Sequence, residues 1–353
     1  MSGGVDSSVA AAMLVREGYD VFGVTMNLRP IESEPDETGR ACCSPAAAAD
    51  ARRVADLLGI PHYVLDFSDV FREAVIGDFI EEYRRGRTPN PCVRCNRFVK
   101  FEALMEKARA LGADRIATGH YARIVFDALR GRWLLKRGTD SSKDQSYALY
   151  AMTQEQLART LMPLGGLTKT ETRAIARELG LEVASKAESQ DICFADGRDY
   201  AGFLSRAAPE LVSPGPILDT SGREIGRHRG IAFYTVGQRR RIGIAAREPL
   251  YVVEIDTRRN AVVVGTNSEL YSGGLVASEM NFVSIERPGG TIAGTAKIRY
   301  NMQDSEALLS VQADDTALIR FERPQRAVAP GQAVVFYAGE DVVGGGTIES
   351  ALR

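Results

Sequence analysis

Seven residues at the head of the chain, Ser2-Gly3-Gly4-Val5-Asp6-Ser7-Ser8, run straight into the apolar stretch Val9-Ala10-Ala11-Ala12-Met13-Leu14. That junction narrows the choice of fold more than any other feature. Two adjacent glycines permit positive φ and let a backbone come close to a ligand. The N–H groups that open a helix, reinforced by its dipole, attract an anion. Three serine hydroxyls add donors, and Asp6 is a candidate ligand for a magnesium ion bridging phosphates. The Gly-Lys-Ser/Thr ending of a γ-phosphoryl-transfer loop is missing. A serine-capped helix after a glycine turn is the plainer reading of Gly-Gly-x-Asp-Ser alone, but seven such residues together favour a phosphate site.

The following residues alternate between helical and extended patterns. Residues 7–17 read as a helix, 21–26 as an apolar strand, and Ser44-Pro45 as N-cap and first residue of a helix ending near Gly59. A strand is predicted over 62–67, a helix over 69–85, a helix over 100–111 stopped by Gly112, and a short strand over 115–118. Alternation of this kind predicts a doubly wound parallel sheet. A buried strand is expected to precede the loop and hold it at the carboxyl edge of the sheet. The sequence begins at the loop, so the expectation is a late-chosen start or a truncation.

From about residue 131 the pattern changes, with one further clear helix over 168–179. After Pro214 turn residues recur at short spacing and frame the alternating runs 261–264, 296–300 and 333–337. These predict small antiparallel β domains, the last barrel-like. The expected division is 1–205, 206–270 and 271–353, consistent with 353 residues being too many for one core.

Composition sets outer limits. The chain is 44% hydrophobic and 25% charged, with a net charge of −2, as soluble globular proteins are. No apolar run is long enough to cross a membrane and no basic-then-apolar leader is present, so a cytoplasmic protein is expected. Five cysteines are too few and too uneven for a disulfide framework.

Cys92 and Cys95 form a CxxC within Thr88-Pro-Asn-Pro-Cys-Val-Arg-Cys-Asn-Arg97, and Cys193 follows about a hundred residues later. Pro89 and Pro91 predict a rigid loop here. Arg94, Arg97 and Lys100 would favour a thiolate. Core filling suits Cys42 and Cys43 better than this loop. Zinc is disfavoured, because a second CxxC and histidines at ligand spacing are both lacking. A redox or sulfur-carrying pair and an iron–sulfur cluster on Cys92, Cys95 and Cys193 both stand.

SGGVDSS matches the PP-loop of ATP pyrophosphatases, which split ATP between the α and β phosphates. Five further blocks extend the likeness: Gly23-Val-Thr-Met-Asn27, Thr88–Asn96, Ala117-Thr-Gly-His-Tyr121, Lys143-Asp-Gln-Ser-Tyr147 and Gln190-Asp-Ile-Cys-Phe194. In this order, with the β-rich tail, the chain resembles the bacterial tRNA-specific 2-thiouridylases (MnmA family) over essentially its whole length. The resemblance implies a PP-loop (adenine nucleotide α-hydrolase-like) domain. It also implies ATP with Mg2+, a tRNA substrate for lysine, glutamate or glutamine, and a persulfide relay protein or cysteine desulfurase as sulfur source. ATP would adenylate the C2 oxygen of the wobble uridine, and a persulfide sulfur would replace it.

By the same resemblance Cys95 is the nucleophile and Cys193 the persulfide carrier, the two ending as a disulfide. ATP contacts are implied for Ser2, Gly3, Gly4, Val5, Asp6, Ser7, Ser8, Met26 and Gly119. Asn90, Pro91 and Cys92 would touch the target base. His120, Lys143, Asp144, Gln145, Arg299, Tyr300 and Gln332 would contact tRNA. Taken singly, Met26 reads as core, His120 as a structural histidine and Lys143-Asp144-Gln145 as a solvated turn. Arg239-Arg240-Arg241 reads as an exposed charged run. Two other functions stay open: another PP-loop ligase, and a catalytically silent tRNA-binding protein.

Overall fold

The computed structural model describes residues 1–28, 45–186, 193–194, 200–312 and 315–352. Ser44, Cys42, Cys43 and residues 189–192 lie outside the described residues. The chain forms two compact units, one of residues 1–75 and 92–199, the other of residues 76–91 and 200–353.

In the first unit, helix α1 (Val5–Arg16) follows the glycine pair directly and buries Val5, Val9, Ala10 and Leu14. Strand β1 (Gly23–Asn27) runs parallel to β2 (His62–Asp66), with Met26 beside Leu65. Helix Pro45–Leu58 connects them, opened by its proline and followed by Gly59 at φ +68°. A second parallel pair joins β3 (Ile116–Ala117) to β6 (Thr160–Leu161). Between these in sequence lies the hairpin of β4 (Ala122–Asp127) and β5 (Arg132–Arg137). The parallel α/β character is as the alternating pattern predicts. Thr168 caps helix Lys169–Glu178 with a reciprocal Thr168–Glu171 box. Val9, Val54, Tyr121, Leu164 and Ala176 close one core over α1.

The Cys92–Cys95 segment departs from expectation. Pro91–Arg94 is a helical turn, continued by the wide-turned helix Cys95–Ala103 and then by Leu104–Ala110. Proline excludes helix only from its interior. At the first helical position its missing N–H costs nothing and its φ is already correct. Wide turns of this type often mark functional sites.

The second unit is β-rich, and among its described residues two sheets are formed. The smaller has the order β8-β7-β10-β9, from β7 (Gly215–Asp219), β8 (Glu224–His228), β9 (Tyr251–Asp256) and β10 (Ala261–Gly265). It is not wholly antiparallel, because β10 runs parallel to β7. The larger comprises β11 (Tyr271–Phe282), β12 (Thr291–Lys297), β13 (Ser305–Val311), β14 (Ala317–Arg326), β15 (Ala333–Ala338) and β16 (Asp341–Leu352). Pairing of β11 with both β14 and β16 closes it into a six-stranded barrel, filled by Leu275, Leu309, Ile319, Phe336 and Ile348. The run predicted over 296–300 overshoots its strand, which ends at Lys297.

Candidate active site

The phosphate loop is built by close backbone approach. Gly3 has φ +64°, and a Cβ there would sit 2.2 Å from the Ala47 carbonyl oxygen. Gly119 meets the loop from the other side, where a Cβ would lie 2.7 Å from the Asp6 carbonyl carbon and 2.8 Å from Ser7 N. The sequence blocks around Gly3 and Gly119 therefore converge on one turn. Gly4 is extended and no side chain caps α1, and the N–H groups of a helix's first turn are of the kind that bind an anion.

The three serines are not equivalent. Ser2 and Ser7 face each other, Oγ to Oγ at 3.2 Å, and Ser7 Oγ accepts from Ser2 N at 3.0 Å. Ser8 is fully buried and donates its hydroxyl to Gly4 O at 2.9 Å. Its side chain braces the turn, which corrects the expectation of three hydroxyls available to an anion. Val5 likewise points its side chain into the core.

Asp6 is held by two residues that the motif does not reveal. Lys169 Nζ donates to both its oxygens at 2.7 and 2.8 Å, and the Tyr121 hydroxyl donates to Oδ1 at 2.8 Å. Lys186 Nζ donates to Gly3 O at 3.1 Å and to Asp50 at 2.6 Å. The motif missed Lys169 because Thr168-Lys-Thr-Glu171 reads locally as a helix start. With the Lys169 side chain only 11% exposed, Lys169→Met leaves a part-buried carboxylate without its cation. It is expected to lower stability by about 2 kcal/mol, read from a urea titration.

Cys92 is exposed, Cys95 and Cys193 are partly buried, and each is present as a thiol. Asn96, next to Cys95, is buried and donates its amide to Ala148 O at 2.9 Å, fixing the start of the wide-turned helix. Arg94 and Arg97 place their guanidiniums 5.9 and 4.9 Å from the Phe98 ring centroid. The helix Cys95–Ala103 packs on the short helix Ser68–Phe71, and Phe194 packs edge-on against Phe71 at 5.8 Å. The segments carrying the two thiols thus share one neighbour. Among the described residues no three of His, Cys, Asp and Glu converge as metal ligands.

The remaining candidates fall into two kinds. Met26 is half-buried near the end of β1. His120 is buried, its Nδ1 2.9 Å from Thr118 Oγ1 and its ring beside Phe101. Asp144 is buried too, accepting from Gly138 N, Ser146 N and Ser146 Oγ, each at 3.0 Å. Gln145 Oε1 accepts from Tyr121 N at 3.0 Å, which ties this turn to the residue bonded to Asp6. Lys143 is half-exposed. In the second unit, Arg299 donates to Ala327 O, while Tyr300 is exposed with Lys297 Nζ 5.8 Å from its ring centroid. Gln332 donates to Thr88 O and Pro89 O, both at 3.0 Å. Arg239, Arg240 and Arg241 are exposed, as their charge run suggests.

Burial, helped by the Lys100 charge, holds the His120 imidazole well below its ordinary pKa. Burial also lowers His62, with the N-terminal ammonium and Arg52, and it lowers His228. All three shifts have the same sign. Below about pH 6.5 the unfolded chain binds protons that the folded chain refuses, so stability present above that pH is lost as pH falls. His120 alone is expected to contribute a slope of about 1.4 kcal/mol per pH unit below 6.5. His120→Gln should flatten that part of a stability–pH curve measured by denaturant titration.

Comparison with known proteins fits this geometry. A family model described as the tRNA methyl transferase HUP domain matches residues 1–197. The PRC-barrel domain of the same name matches 201–266, and an aminomethyltransferase beta-barrel domain matches 272–348. A tRNA-specific 2-thiouridylase MnmA of Moorella thermoacetica is 54% identical over 353 residues, covering 100% of this chain and 99% of its own length. The protein of that name from Natranaerobius thermophilus is 51% identical, covering 99% of this chain and 96% of its own. Among the described residues no helix is long and apolar enough to cross a membrane. With an adenylating type of loop, three thiols and full-length similarity in agreement, the chain belongs to the tRNA-specific 2-thiouridylase (MnmA) family.

Proposed function

We propose that this protein catalyses ATP-dependent 2-thiolation of the wobble uridine (U34) of tRNA, as a tRNA-uridine 2-sulfurtransferase releasing AMP and pyrophosphate. The observation that carries this reading is the pairing, within one unit, of an uncapped phosphate loop and two thiols. Gly3 and Gly119 make the backbone cradle, and the Cys95 and Cys193 segments both pack on Ser68–Phe71. Methyl transfer, which the family-model description mentions, would leave the loop without work, because an activated methyl donor brings its own leaving group. Another PP-loop ligase would leave the thiols without work. A silent RNA-binding protein would use neither.

In this reading the α1 N–H groups, with Ser2 and Ser7, hold the polyphosphate of ATP. Asp6 is the side chain that would hold magnesium, which when bound offsets the negative charge of the phosphates. The uridine C2 oxygen attacks the α-phosphate and pyrophosphate leaves. The terminal sulfur of a Cys193 persulfide attacks C2, and AMP departs with the former oxygen. The Cys95 thiolate then attacks Cys193 Sγ and breaks its bond to the transferred sulfur, whose electrons form the thiocarbonyl. A Cys95–Cys193 disulfide remains, and a dithiol reductant reopens it. Electrons balance, two thiols being oxidised as the persulfide sulfur is reduced.

Asn90, Pro91 and the exposed Cys92 are assigned to the flipped base, since a loop base is extruded without breaking a duplex. Met26 and Gly119 are assigned to ATP. Lys143 and Tyr300 have the exposure for tRNA contact. His120, Asp144, Gln145 and Arg299 would act by shaping the turns they hold. Residues 1–205 would carry the chemistry, with 206–270 and 271–353 gripping the tRNA body. The tRNAs for lysine, glutamate and glutamine are the expected substrates, and a persulfide relay protein or cysteine desulfurase the sulfur source. The CxxC spacing favours one second reading, a [4Fe-4S] cluster route.

The test is incubation of the protein with tRNA transcript, Mg-ATP and a persulfide donor, followed by mass analysis of nucleosides. 2-Thiouridine confined to position 34 supports the reading; pyrophosphate release without thiolated RNA overturns it. An anaerobic iron and sulfide assay decides between the routes, since stoichiometric iron and sulfide would replace the persulfide scheme.

A further inference from the structure

Lys169 is the first residue of helix Lys169–Glu178, the end at which a helix dipole disfavours a cation. Its backbone is fixed there, with Lys169 N donating to Asp140 Oδ2 at 3.0 Å beside the Thr168–Glu171 capping box. Helical side chains lean toward the N-terminus of their own helix. Asp6 stands in the first turn of α1, which packs against the Lys169 helix. Both side chains therefore lean toward their helix starts, and they meet with Lys169 Nζ 2.7 and 2.8 Å from the two carboxylate oxygens. All of these residues belong to one unit.

Stability alone is a weak reason for such a pair. An ion pair taken out of water regains little more than its desolvation cost, and apolar residues of like volume often serve as well. The Lys169 side chain is 11% exposed and that of Asp6 32%, so the carboxylate is the more open of the two. Asp6 also accepts from the Tyr121 hydroxyl at 2.8 Å. Three of the roughly four lone-pair sites of a carboxylate are thus in use. Tyr121 is itself buried, with Thr172 Oγ1 3.0 Å from its hydroxyl oxygen. A carboxylate engaged in this way is poorly disposed to hold magnesium until the ammonium withdraws. An ammonium that withdraws stays beside the loop on its four-carbon stem, where partial burial strengthens its attraction to a polyanion.

We propose that Lys169 is a phosphate-binding residue, its ammonium passing from Asp6 to the β- and γ-phosphates of ATP and so releasing Asp6 for magnesium. The α-phosphate has to stay open to the attacking uridine oxygen, which leaves the pyrophosphate half to a cation rooted in the fold. The same contact offsets charge on the departing pyrophosphate. The proposal deepens the thiolation reading and rests on it for the use of ATP.

Calorimetric binding of inorganic pyrophosphate with Mg2+, and separately of AMP, to full-length Lys169→Met and Lys169→Arg tests it. Lys169→Met should bind pyrophosphate about thirtyfold more weakly, the scale of a lost hydrogen bond to a charged group, with AMP within about twofold of wild type. Lys169→Arg keeps the charge and should recover most of that loss. Unchanged pyrophosphate binding in Lys169→Met would overturn the proposal. Equal weakening of pyrophosphate and AMP would also overturn it, because a loop that has only lost its brace fails for both. Lysine-dependent pyrophosphate binding in a protein whose wild type forms no 2-thiouridine would uphold the phosphate contact and sink the thiolation reading instead.

Discussion

Cys95→Ser is expected to lower thiolation on the order of a thousandfold or more, the scale on which an enzyme fails when a covalent nucleophile is removed. Pyrophosphate should still appear once per active site, because adenylation needs only the loop. Without Cys95 the transferred sulfur stays bonded to Cys193, so tRNA should accumulate as a covalent adduct that dithiothreitol releases. Cys193→Ser should abolish thiolation without forming that adduct, since no persulfide is then carried. Cys92→Ser should stay within a few-fold of wild type in the persulfide scheme. Gel shift under non-reducing conditions and nucleoside mass analysis read all three. A Cys95→Ser enzyme that turns over at the wild-type rate without added dithiol would end the scheme.

Gly3→Ala is expected to be the most damaging single methyl in the loop. The residue has φ +64°, which costs a side chain about 1–2 kcal/mol. The new Cβ would also lie 2.2 Å from Ala47 O and 2.9 Å from Ala47 C and Cα. All three atoms are backbone of the helix Pro45–Leu58, so no side-chain rotation relieves the overlap and the loop must shift. With about 1–3 kcal/mol for such overpacking, the expected loss is about 3 kcal/mol, accompanied by loss of ATP binding. Gly18→Ala is the control: φ is +84° there and nothing lies within 4 Å. It should cost only the conformational term, about 1 kcal/mol, and leave nucleotide affinity intact. Denaturant titration and equilibrium ATP binding separate the two, and equal effects from both variants would refute the close-approach argument.

Much of the fold was legible from local pattern. The helix after the loop, the parallel strands near residues 23–27 and 62–66, the Gly59 and Gly112 stops and the β-rich tail all follow from periodicity and turn chemistry acting over a few residues. Errors arose where a local rule had two branches. Pro91 reads as a breaker from the interior rule and as an opener from the first-turn rule, and only the folded chain selects the second. The parallel β7–β10 pair is non-local, so no alternation within either strand could announce it.

The candidate site divides along the same line. Sequence by itself determined the phosphate loop, the cysteines and the family, because these depend on residue type and order along short stretches. It also put Gly119, Met26 and Gln332 among the candidates without giving any of them a geometry. Tertiary structure alone decided that Gly119 closes on the loop, that Lys169 and Tyr121 hold Asp6, that Ser8 turns inward, and that Gln332 binds the Thr88-Pro89 carbonyls. Apart from the Ser8 bond to Gly4, four residues back, each of these is a contact across more than a hundred residues, fixed by how packed elements meet. The chemistry of a side chain is written in its identity, whereas the partner that spends that chemistry is set by the fold.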